Sequence, residues 1–532
     1  MLKLLKLLKK KQWALAAVSV FFVVTQVWLE LTMPDYMADI TRLVQTDGST
    51  MQEILTAGGK MLACALGSLI ASILTAICAT RIAATFSAAL REKLFRKVMS
   101  FSMEEIGHFS TASLITRSTN DVTQIQMLIA IGLQLLVKAP IMAVWAICKI
   151  ANKQWEWTFS TGVAVIVLLA VVGLCLLLVT PKFKKIQTLT DDLNRVTREN
   201  LTGLRVVRAY NAERYQETKF EHANQALTST NLFAQRTLSF MMPSIQLVMS
   251  GLSLAIYWIG AVLINDARIA GKLNLFTDMM VFSQYAIQVV MSFMMLVMIF
   301  MLLPRASVSA KRIQAVLDTD PSIIDGTETD SNCNASGTIE FKNVSFHYPD
   351  EEECVLKNIT FTAKKGETVA LIGSTGCGKS TVINLIPRFY DTSEGQVLVD
   401  GIDVRKYPQK ELRNKIGYVS QKATLFTGTI RSNVAYGDNG QPSASQEDVK
   451  NAIATAQATD FVENLGDQYD AYVAQGGSNF SGGQKQRISI ARAIARHPEI
   501  LIFDDSFSAL DYKTDRILRK TLEETCKDTT RI

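Results

Sequence analysis

The chain has 532 residues, of which 48% are hydrophobic and 20% are charged, and its formal net charge is +6. This length exceeds that of a single domain, and the modest net charge argues against nucleic-acid binding. Long apolar runs occupy the part before about Arg305, whereas the part after about Asp318 has the pattern of a soluble α/β domain. The sequence therefore predicts a membrane part followed by a soluble part.

The first residues, 1–12, are rich in Lys and Leu, which is typical of a basic amphipathic segment at the cytoplasmic face of a membrane. We find no obvious cleavage site after them and interpret the first apolar run as an uncleaved span. Six apolar segments are long enough for the roughly 20 residues that cross a bilayer. They are Trp13–Met33, Met61–Ala84, Met127–Ile150, Trp157–Pro181, Phe240–Asn265 and Thr277–Leu303.

Charge in the connecting segments predicts the orientation of the spans. The loop expected after the first span, Pro34–Glu53, is mainly acidic, whereas Lys and Arg follow the second and fourth spans. Because positive charge is retained inside, both termini and both long loops are predicted to be cytoplasmic. Those loops, Phe86–Gln126 and Lys182–Ser239, have helical patterns without proline. The spans are therefore expected to continue as helices beyond the bilayer.

The sixth span is rich in methionine, and one of its helix faces also carries two amides. We interpret this face as the lining of a substrate cavity, because methionine accepts many apolar shapes and amides facing lipid are costly. Packing against neighbouring helices is the alternative. Lys138, inside the third span, is expected either to face the cavity or to snorkel towards the interface. The face consists of Gln284, Gln288, Met291, Met295 and Met298.

A phosphate-binding loop is the most specific motif of the soluble part. Residues 373–380 match GxxxxGK[ST], between an apolar strand predicted at Glu367–Ile372 and a helix predicted from Thr381. Glycines let backbone N–H groups surround phosphates, Lys379 reaches the β- and γ-phosphates, and the hydroxyl of Ser380 ligates Mg²⁺. The predicted ATP-binding residues of this loop are Gly373, Ser374, Thr375, Gly376, Cys377, Gly378, Lys379, Ser380 and Thr381.

A second hydrophobic strand is predicted at Glu499–Asp505 and ends in two carboxylates. Asp504 is placed to hold Mg²⁺ through water. The residue after it, here Asp505, is normally the base that orients the attacking water.

These motifs, with Asn479-Phe480-Ser481-Gly482-Gly483-Gln484 about a hundred residues after the phosphate loop, resemble the ABC exporter superfamily. Over essentially its whole length the chain is similar to a half-transporter of the bacterial multidrug type. The resemblance implies that Tyr348 stacks on adenine and that Gln421 senses Mg²⁺ and the γ-phosphate. It also implies that the signature residues complete the ATP site of a partner subunit. Those residues are Ser481, Gly482, Gly483 and Gln484.

The resemblance extends to the segments that link the two parts of the chain. It implies a D-loop at Ser508–Asp511, a first coupling loop at Leu114–Asp121 and a second within Glu199–Asn224. Arg305–Leu317 is similar to the link between the sixth helix and the cassette. Cassette closure is therefore expected to reach the spans through the cytoplasmic loops.

Two departures from the family pattern bear on function. Asp505 stands where the family has a catalytic Glu, so its carboxylate is expected to fall roughly 1 Å short, and a misplacement of that order can cost ~100-fold in rate. A site that binds ATP but turns it over slowly, beside an intact signature, favours a heterodimer; a tolerated Asp in a homodimer is the alternative. The family's switch histidine is expected beyond Ile532, which favours a C-terminally truncated cassette.

The predicted fold is a six-helix transmembrane α-bundle followed by an α/β P-loop nucleotide-binding domain. The predicted parts are a basic segment (1–12), a transmembrane domain (13–305), a linker (306–336) and a cassette (337–532). The resemblance implies ATP-driven export of amphipathic, drug-like substrates across the bacterial plasma membrane. ATP and Mg²⁺ are the implied cofactors, and a second half-transporter is the implied partner. A lipid flippase, a peptide exporter and an ATP-sensing regulator or channel that does not pump are the alternatives.

Overall fold

The computed structural model describes residues 8–46, 48–151, 153–328, 336–349, 351, 353–440 and 442–532. The predicted basic segment lies outside the described residues over 1–7, and the predicted linker over 329–335. The chain forms two compact units. The membrane unit comprises the residues up to Arg96 together with Ile115–Asp318, and the soluble unit comprises Lys97–Leu114 together with Thr319–Ile532.

Long helices build the membrane unit. In the described part of the chain, six helical stretches are long and apolar enough to cross a membrane, which confirms the six predicted spans. In chain order the helices up to Asp318 are α1 (Lys10–Gln45), α2 (Met51–Met99), α3 (Met103–Phe109), α4 (Thr111–Thr116), α5 (Val122–Ala151), α6 (Trp155–Thr202), α7 (Leu204–Ala209), α8 (Glu213–Ser239), α9 (Met241–Asp266) and α10 (Ile269–Asp318), with a π-helical turn at Arg117–Asp121. As predicted, α2 and α6 continue well past their apolar segments; α10 also does so, to Asp318, which was not predicted.

The first helix runs further than the sequence predicts. A loop was expected from Pro34, but α1 continues to Gln45 with Pro34 buried inside it. Proline removes one intrahelical donor, and a neighbouring helix can support the disturbed backbone. The hydroxyl of Tyr285 in α10 does so, because its one proton is shared between the carbonyl oxygen of Leu31 at 3.0 Å and the carboxylate of Asp35 at 2.6 Å. The acidic residues that follow Pro34 therefore extend a helix.

The soluble unit is built from small sheets with helices around them. Its strands are β1 (Ile339–Phe346), β2 (Leu356–Ala363), β3 (Glu394–Val399), β4 (Ile402–Asp403), β5 (Ile416–Val419), β6 (Gly428–Thr429), β7 (Tyr472–Val473), β8 (Ile500–Phe503) and β9 (Thr530–Arg531). Its further helices are α11 (Lys379–Leu385), α12 (Gln409–Asn414), α13 (Ile430–Val434), α14 (Gln446–Thr455), α15 (Thr459–Val462), α16 (Gly482–Ile494) and α17 (Tyr512–Thr525). An antiparallel sheet has the order β2-β1-β3-β4, a parallel sheet has the order β5-β8-β9, and β6 pairs with β7.

The strand predicted at Glu367–Ile372 is only partly formed. Thr368 makes a single parallel bridge with Arg531, supported by backbone hydrogen bonds from Val369 N to Arg531 O and from Arg531 N to Glu367 O, both 2.9 Å. The prediction of a full strand was therefore wrong, because the neighbouring strand β9 is itself only two residues long. Ile372, directly before the phosphate loop, is 95% exposed.

A segment of the first long loop packs within the soluble unit through Glu105 in α3. The Glu105 carboxylate accepts hydrogen bonds from the backbone N of Ser102 at 2.7 Å, the Ser102 hydroxyl at 2.6 Å and the backbone N of Ser322 at 2.8 Å. Burial on its own would raise the pKa of Glu105, but these donors outweigh it and hold the pKa below its usual value. Glu105 thus fastens the loop segment to the beginning of the soluble unit.

Candidate functional site

Glycines give the phosphate loop its shape. Gly376 and Gly378 have φ angles of +84° and +89°, a conformation that disfavours residues with a side chain. A Cβ atom at Gly378 would also approach Leu356 Cδ2 to 2.8 Å. The loop leads directly into α11, which begins at Lys379. Successive glycine-rich turns of this kind aim backbone N–H groups into a concavity that suits an anion.

Lys379 reaches back across this loop. Its Nζ donates to the carbonyl oxygens of Gly373 and Ser374, both at 2.8 Å. The charged amine therefore lies at the mouth of the loop, where it can exchange these carbonyl contacts for phosphate oxygens. Such a point charge on a flexible stem is well suited to phosphate binding.

Ser380 and Asp504 meet although they lie far apart in the sequence. The Ser380 hydroxyl donates to Asp504 Oδ1 at 2.7 Å. A hydroxyl and a carboxylate are hard oxygen ligands, and Mg²⁺ is commonly held by one or two such groups together with substrate phosphates. Within the described residues, no group of three His, Cys, Asp or Glu side chains could hold a metal ion by itself. The residues present thus fit a cation that is bound together with a nucleotide.

Parallel pairing of β5 and β8 brings Gln421 to Asp505. Val419 lies opposite Phe503, so the residues after both strands emerge at one edge of the sheet. Gln421 Nε2 donates to Asp505 Oδ2 at 3.4 Å, a long hydrogen bond. Asp505 has a φ of +46°, which is uncommon outside glycine. The amide and the carboxylate thus face one another at the point where the sequence predicts the catalytic residues.

Aromatic rings flank the loop. The hydroxyl of Tyr348 is 3.0 Å from that of Thr381, and its ring packs edge-on against Phe346 and Tyr390. Tyr418, which the sequence analysis did not single out, donates to Asn384 Oδ1 at 3.1 Å. Burial, then the neighbouring Asp504 carboxylate, raises the pKa of Tyr418 to about 12, so its phenol is neutral at physiological pH.

These groups share one cavity of about 910 Å³. Residues of the phosphate loop, of α11 and of the two sheet-edge segments line it together with Phe507 and Arg519, which the sequence analysis did not identify. The side chain of Arg519 stacks over the Phe507 ring at 4.2 Å. The predicted site residues that line the cavity are Tyr348, Thr375, Gly376, Gly378, Lys379, Ser380, Thr381, Gln421, Asp504 and Asp505.

Ser508 of the D-loop lines this cavity, whereas Asp511 and the signature residues do not, and Ser481 and Asp511 each cap a helix. Ser481 precedes α16, where its hydroxyl accepts from Gln484 N at 3.3 Å while Gln484 Oε1 accepts from Ser481 N at 2.9 Å. This reciprocal capping presents the beginning of the helix in a defined geometry. Asp511 caps α17 by accepting from Thr514 N at 3.0 Å, and this hydrogen bond lowers the pKa of Asp511.

The predicted cavity face of α10 points away from the core of its own chain. Met291 and Met298 are each 45% exposed and Gln284 is exposed, whereas Tyr285 and Val289 are buried. Gln288 and Met295 are half-buried. In the described residues, Oε1 of Gln288 is buried without a hydrogen-bond partner.

Lys138 does not snorkel, contrary to one of the two expectations. Its Nζ binds Oε1 of Glu30 in α1 at 2.9 Å. Lys138 also lies about 18 Å along the helix axis from Ile150, which is too far for the amine to reach the interface. The sequence analysis missed Glu30, although an acidic residue inside an apolar span is itself a signal.

Comparisons with known proteins place both parts of the chain in ABC transporter families. Residues 16–301 match the family described as the ABC transporter transmembrane region, and residues 356–508 match the family described as the ABC transporter. An uncharacterized ABC transporter ATP-binding protein of Mycobacterium tuberculosis is 38% identical over 475 residues, which cover 89% of this chain and 79% of the relative.

An ATP-dependent lipid A-core flippase of Pseudomonas fluorescens is 32% identical over 446 residues, which cover 83% of this chain and 72% of the relative. Among solved structures, a bacterial Atm1-family ABC exporter with ATP bound has a TM-score of 0.77 and 25% identity. That similarity covers 98% of this chain and 90% of the exporter chain.

Proposed function

The chain belongs to the ABC transporter family and carries the membrane region and the ATPase cassette of an exporter on one polypeptide; from that premise we propose that it exports amphipathic molecules as one half of a heterodimer. ATP hydrolysis at the cassettes drives the transport. The observation that carries the proposal is the convergence of Lys379, Ser380 and Asp504 in one cavity.

In this proposal each side chain of the cavity has a separate role. Tyr348 stacks on the adenine, and Lys379 leaves the carbonyl oxygens of its own loop for the β- and γ-phosphates. Ser380, Asp504 and Gln421 would hold Mg²⁺, which when bound neutralises charge that develops on the phosphate oxygens. Gln421 also orients Asp505, since the two side chains already face each other at 3.4 Å. The glycines of the loop supply the backbone N–H groups.

The proposed partner supplies what the cavity lacks. Ser481–Gln484 lies outside this chain's own cavity, as expected of a segment that completes the ATP site of a second subunit. Asp505 is one methylene shorter than Glu and therefore holds the attacking water poorly. A partner with Glu at that position would provide the site with rapid turnover. The pair would thus hold one slow and one fast site.

The proposed location is the bacterial plasma membrane, with the cassette and both termini in the cytoplasm. The charge distribution supports this orientation, because Lys and Arg are concentrated after the second and fourth spans. Amphipathic compounds are the proposed substrates. A lipid substrate is the second candidate, and the similarity to a lipid A-core flippase favours it.

ATP turnover by the purified chain, alone and then with a candidate partner, tests the proposal. We expect negligible turnover alone and strong turnover together. Asp505→Glu should raise turnover of the chain alone by roughly 100-fold, because the carboxylate gains the missing reach. Rapid turnover by the unaltered chain alone would instead support a homodimer, and ATP binding without turnover in any combination would support a sensor or channel.

A further inference from the structure

A polar cluster surrounds Glu30 inside the membrane unit, apart from the nucleotide site. Oε1 of Glu30 accepts hydrogen bonds from Nε2 of Gln26 at 2.8 Å, Nζ of Lys138 at 2.9 Å and the hydroxyl of Ser68 at 3.3 Å. Gln26 and Ser68 are buried, with 8% and 7% exposure. The cluster therefore joins the three spans formed by α1, α2 and α5.

Part of the hydrogen-bonding capacity of this cluster is unused. In the described part of the chain, all three donors converge on Oε1, which leaves Oε2 of Glu30 without a hydrogen bond. Lys138 makes one hydrogen bond, although its amine has three N–H donors. The side chains of Lys138 and Glu30 are 17% and 18% exposed, so the pair is not sealed. Because charged groups are costly against acyl chains, the open side suits water, a polar ligand or a polar group of the second subunit better than lipid.

In the neighbouring ion pair of the same two helices, the carboxylate is fully used, although the pair is more exposed, at 36% for Lys149 and 44% for Asp35. Asp35 accepts the Tyr285 hydroxyl on Oδ1 at 2.6 Å and Lys149 Nζ on Oδ2 at 2.6 Å. Both carboxylate oxygens are thus occupied, which is what a purely structural link between helices requires. The two pairs have the same chemistry, and each lysine uses one of its three N–H donors, but only the pair at Lys138 leaves a carboxylate oxygen open.

The hydrogen-bond pattern decides which charge the cluster can accept. If Lys138 turns towards an incoming anion, the anion also lies next to a like charge, the Glu30 carboxylate, but Gln26 and Ser68 still donate to Glu30, so the carboxylate keeps two partners. If a cation instead takes Glu30, Lys138 loses its one partner and lies next to a like charge. The cluster therefore tolerates an anionic guest better than a cationic one.

We infer that Lys138 is a specificity-determining residue that binds the anionic group of an amphipathic substrate, a phosphate or a carboxylate, in the membrane unit. The inference rests on the proposed export function and narrows its substrate class. Glu30 holds the lysine amine in place in the absence of substrate, and Gln26 and Ser68 keep Glu30 hydrogen-bonded when the amine is shared.

Binding of amphiphiles that differ only in headgroup charge tests this inference. The assembled transporter in phosphatidylcholine nanodiscs is titrated calorimetrically with dodecyl phosphate and with dodecyltrimethylammonium, and ATP turnover is measured in parallel. We expect preferential binding of dodecyl phosphate. Lys138→Gln should weaken that binding roughly tenfold through the loss of a charge-assisted hydrogen bond. The matched variant Lys149→Gln removes an equivalent lysine from the same helix and should leave binding unchanged.

A reversed pair separates recognition from folding. In the double variant Glu30→Lys with Lys138→Glu, the ion pair persists, so thermal stability should be retained while the preference for dodecyl phosphate is lost. Retention of that preference, or an equal loss for both amphiphiles in Lys138→Gln, would overturn the inference. Because calorimetry needs no ATP turnover, a transporter that binds dodecyl phosphate through Lys138 but hydrolyses no ATP would contradict the proposed function alone.

A further titration identifies the source of the anionic group. Phosphatidic acid in the nanodisc should compete with dodecyl phosphate if the group belongs to a membrane lipid. Soluble glycerol 3-phosphate should compete if a free phosphate compound is recognised. Competition by neither would contradict phosphate recognition by Lys138.

Discussion

The ATP cavity and the ion pairs of the membrane unit are both built from charged residues, but they relate differently to the sequence. In the cavity, Lys379 and Ser380 are adjacent residues of one short sequence motif, and that motif predicts their role. In the bundle, Glu30 and Lys138 come from different helices, and neither is part of a motif. Phosphate binding requires fixed local spacing, whereas an ion pair between spans requires only that two helices pack. A site built from adjacent residues can therefore be predicted from the sequence, whereas an ion pair between two helices cannot.

The largest expected effect is at the local site. Lys379→Met should weaken ATP binding by roughly 100-fold, because about two charge-assisted hydrogen bonds to phosphate, each worth roughly 1.5 kcal/mol, are lost. Equilibrium binding of a fluorescent ATP analogue measures the change. Lys365→Met, which alters an exposed lysine of the same unit, is the control and should bind as the unaltered protein does. Equal ATP affinities of the Lys379→Met and Lys365→Met variants would show that Lys379 does not bind the nucleotide.

The next effect tests whether the membrane pair acts as a unit. Glu30→Gln and Lys138→Gln, alone and combined, should show a coupling of about 1 to 2 kcal/mol in the free energy of unfolding, since residues in direct contact are not additive. Denaturant unfolding in detergent measures the free energy of unfolding of the unaltered protein, the two single variants and the double variant. Glu30→Gln combined with Lys60→Gln is the control, because Lys60 lies about 12 Å along α2 from Ser68. Additive values for Glu30 and Lys138 would mean that the pair contributes nothing as a pair.

A smaller effect compares two glycines of one membrane helix. A Cβ atom at Gly260 in α9 would collide with the Met279 side chain and lie 3.4 Å from Trp157. Gly260→Ala should therefore destabilise the unit by about 1 kcal/mol, once the gain in helix propensity is subtracted from the overpacking cost. Gly251→Ala has nothing within 4 Å and should stabilise slightly. Thermal unfolding in detergent distinguishes them, and the same sign for both would argue against this packing.

The smallest effect concerns the loop segment held by Glu105. The pKa of Glu105 lies below the usual 4.5. The stabilisation that its hydrogen bonds provide is therefore complete above about pH 4.5 and is lost as the pH falls through the lowered pKa. Glu105→Gln should lower stability at neutral pH and flatten this acid-dependent part of the unfolding curve. Glu104→Gln, the neighbouring carboxylate of the same helix, should keep the dependence. If the stability of Glu105→Gln fell at acid pH as much as that of the unaltered protein, these hydrogen bonds would not stabilise the unit.

The sequence predicted the elements whose signals are local. Six apolar segments met the length that a bilayer imposes, and the glycine spacing around Lys379 predicted the phosphate loop before α11. The strand Glu367–Ile372 was predicted too strongly, because a strand depends on its neighbour and β9 pairs with it only at Thr368. The end of α1 was also misplaced, since the support of Pro34 by Tyr285 comes from a distant helix.

By itself, then, the sequence determined the membrane spans and the phosphate loop, because hydrophobic length and glycine torsions act within a few consecutive residues. Only the tertiary structure decided that Gln421 faces Asp505 across two parallel strands, and that Lys138 is paired with Glu30. The physical reason is the same in both cases. A hydrogen bond or ion pair between distant segments depends on the register of strands and the packing of helices, which no short stretch of sequence specifies.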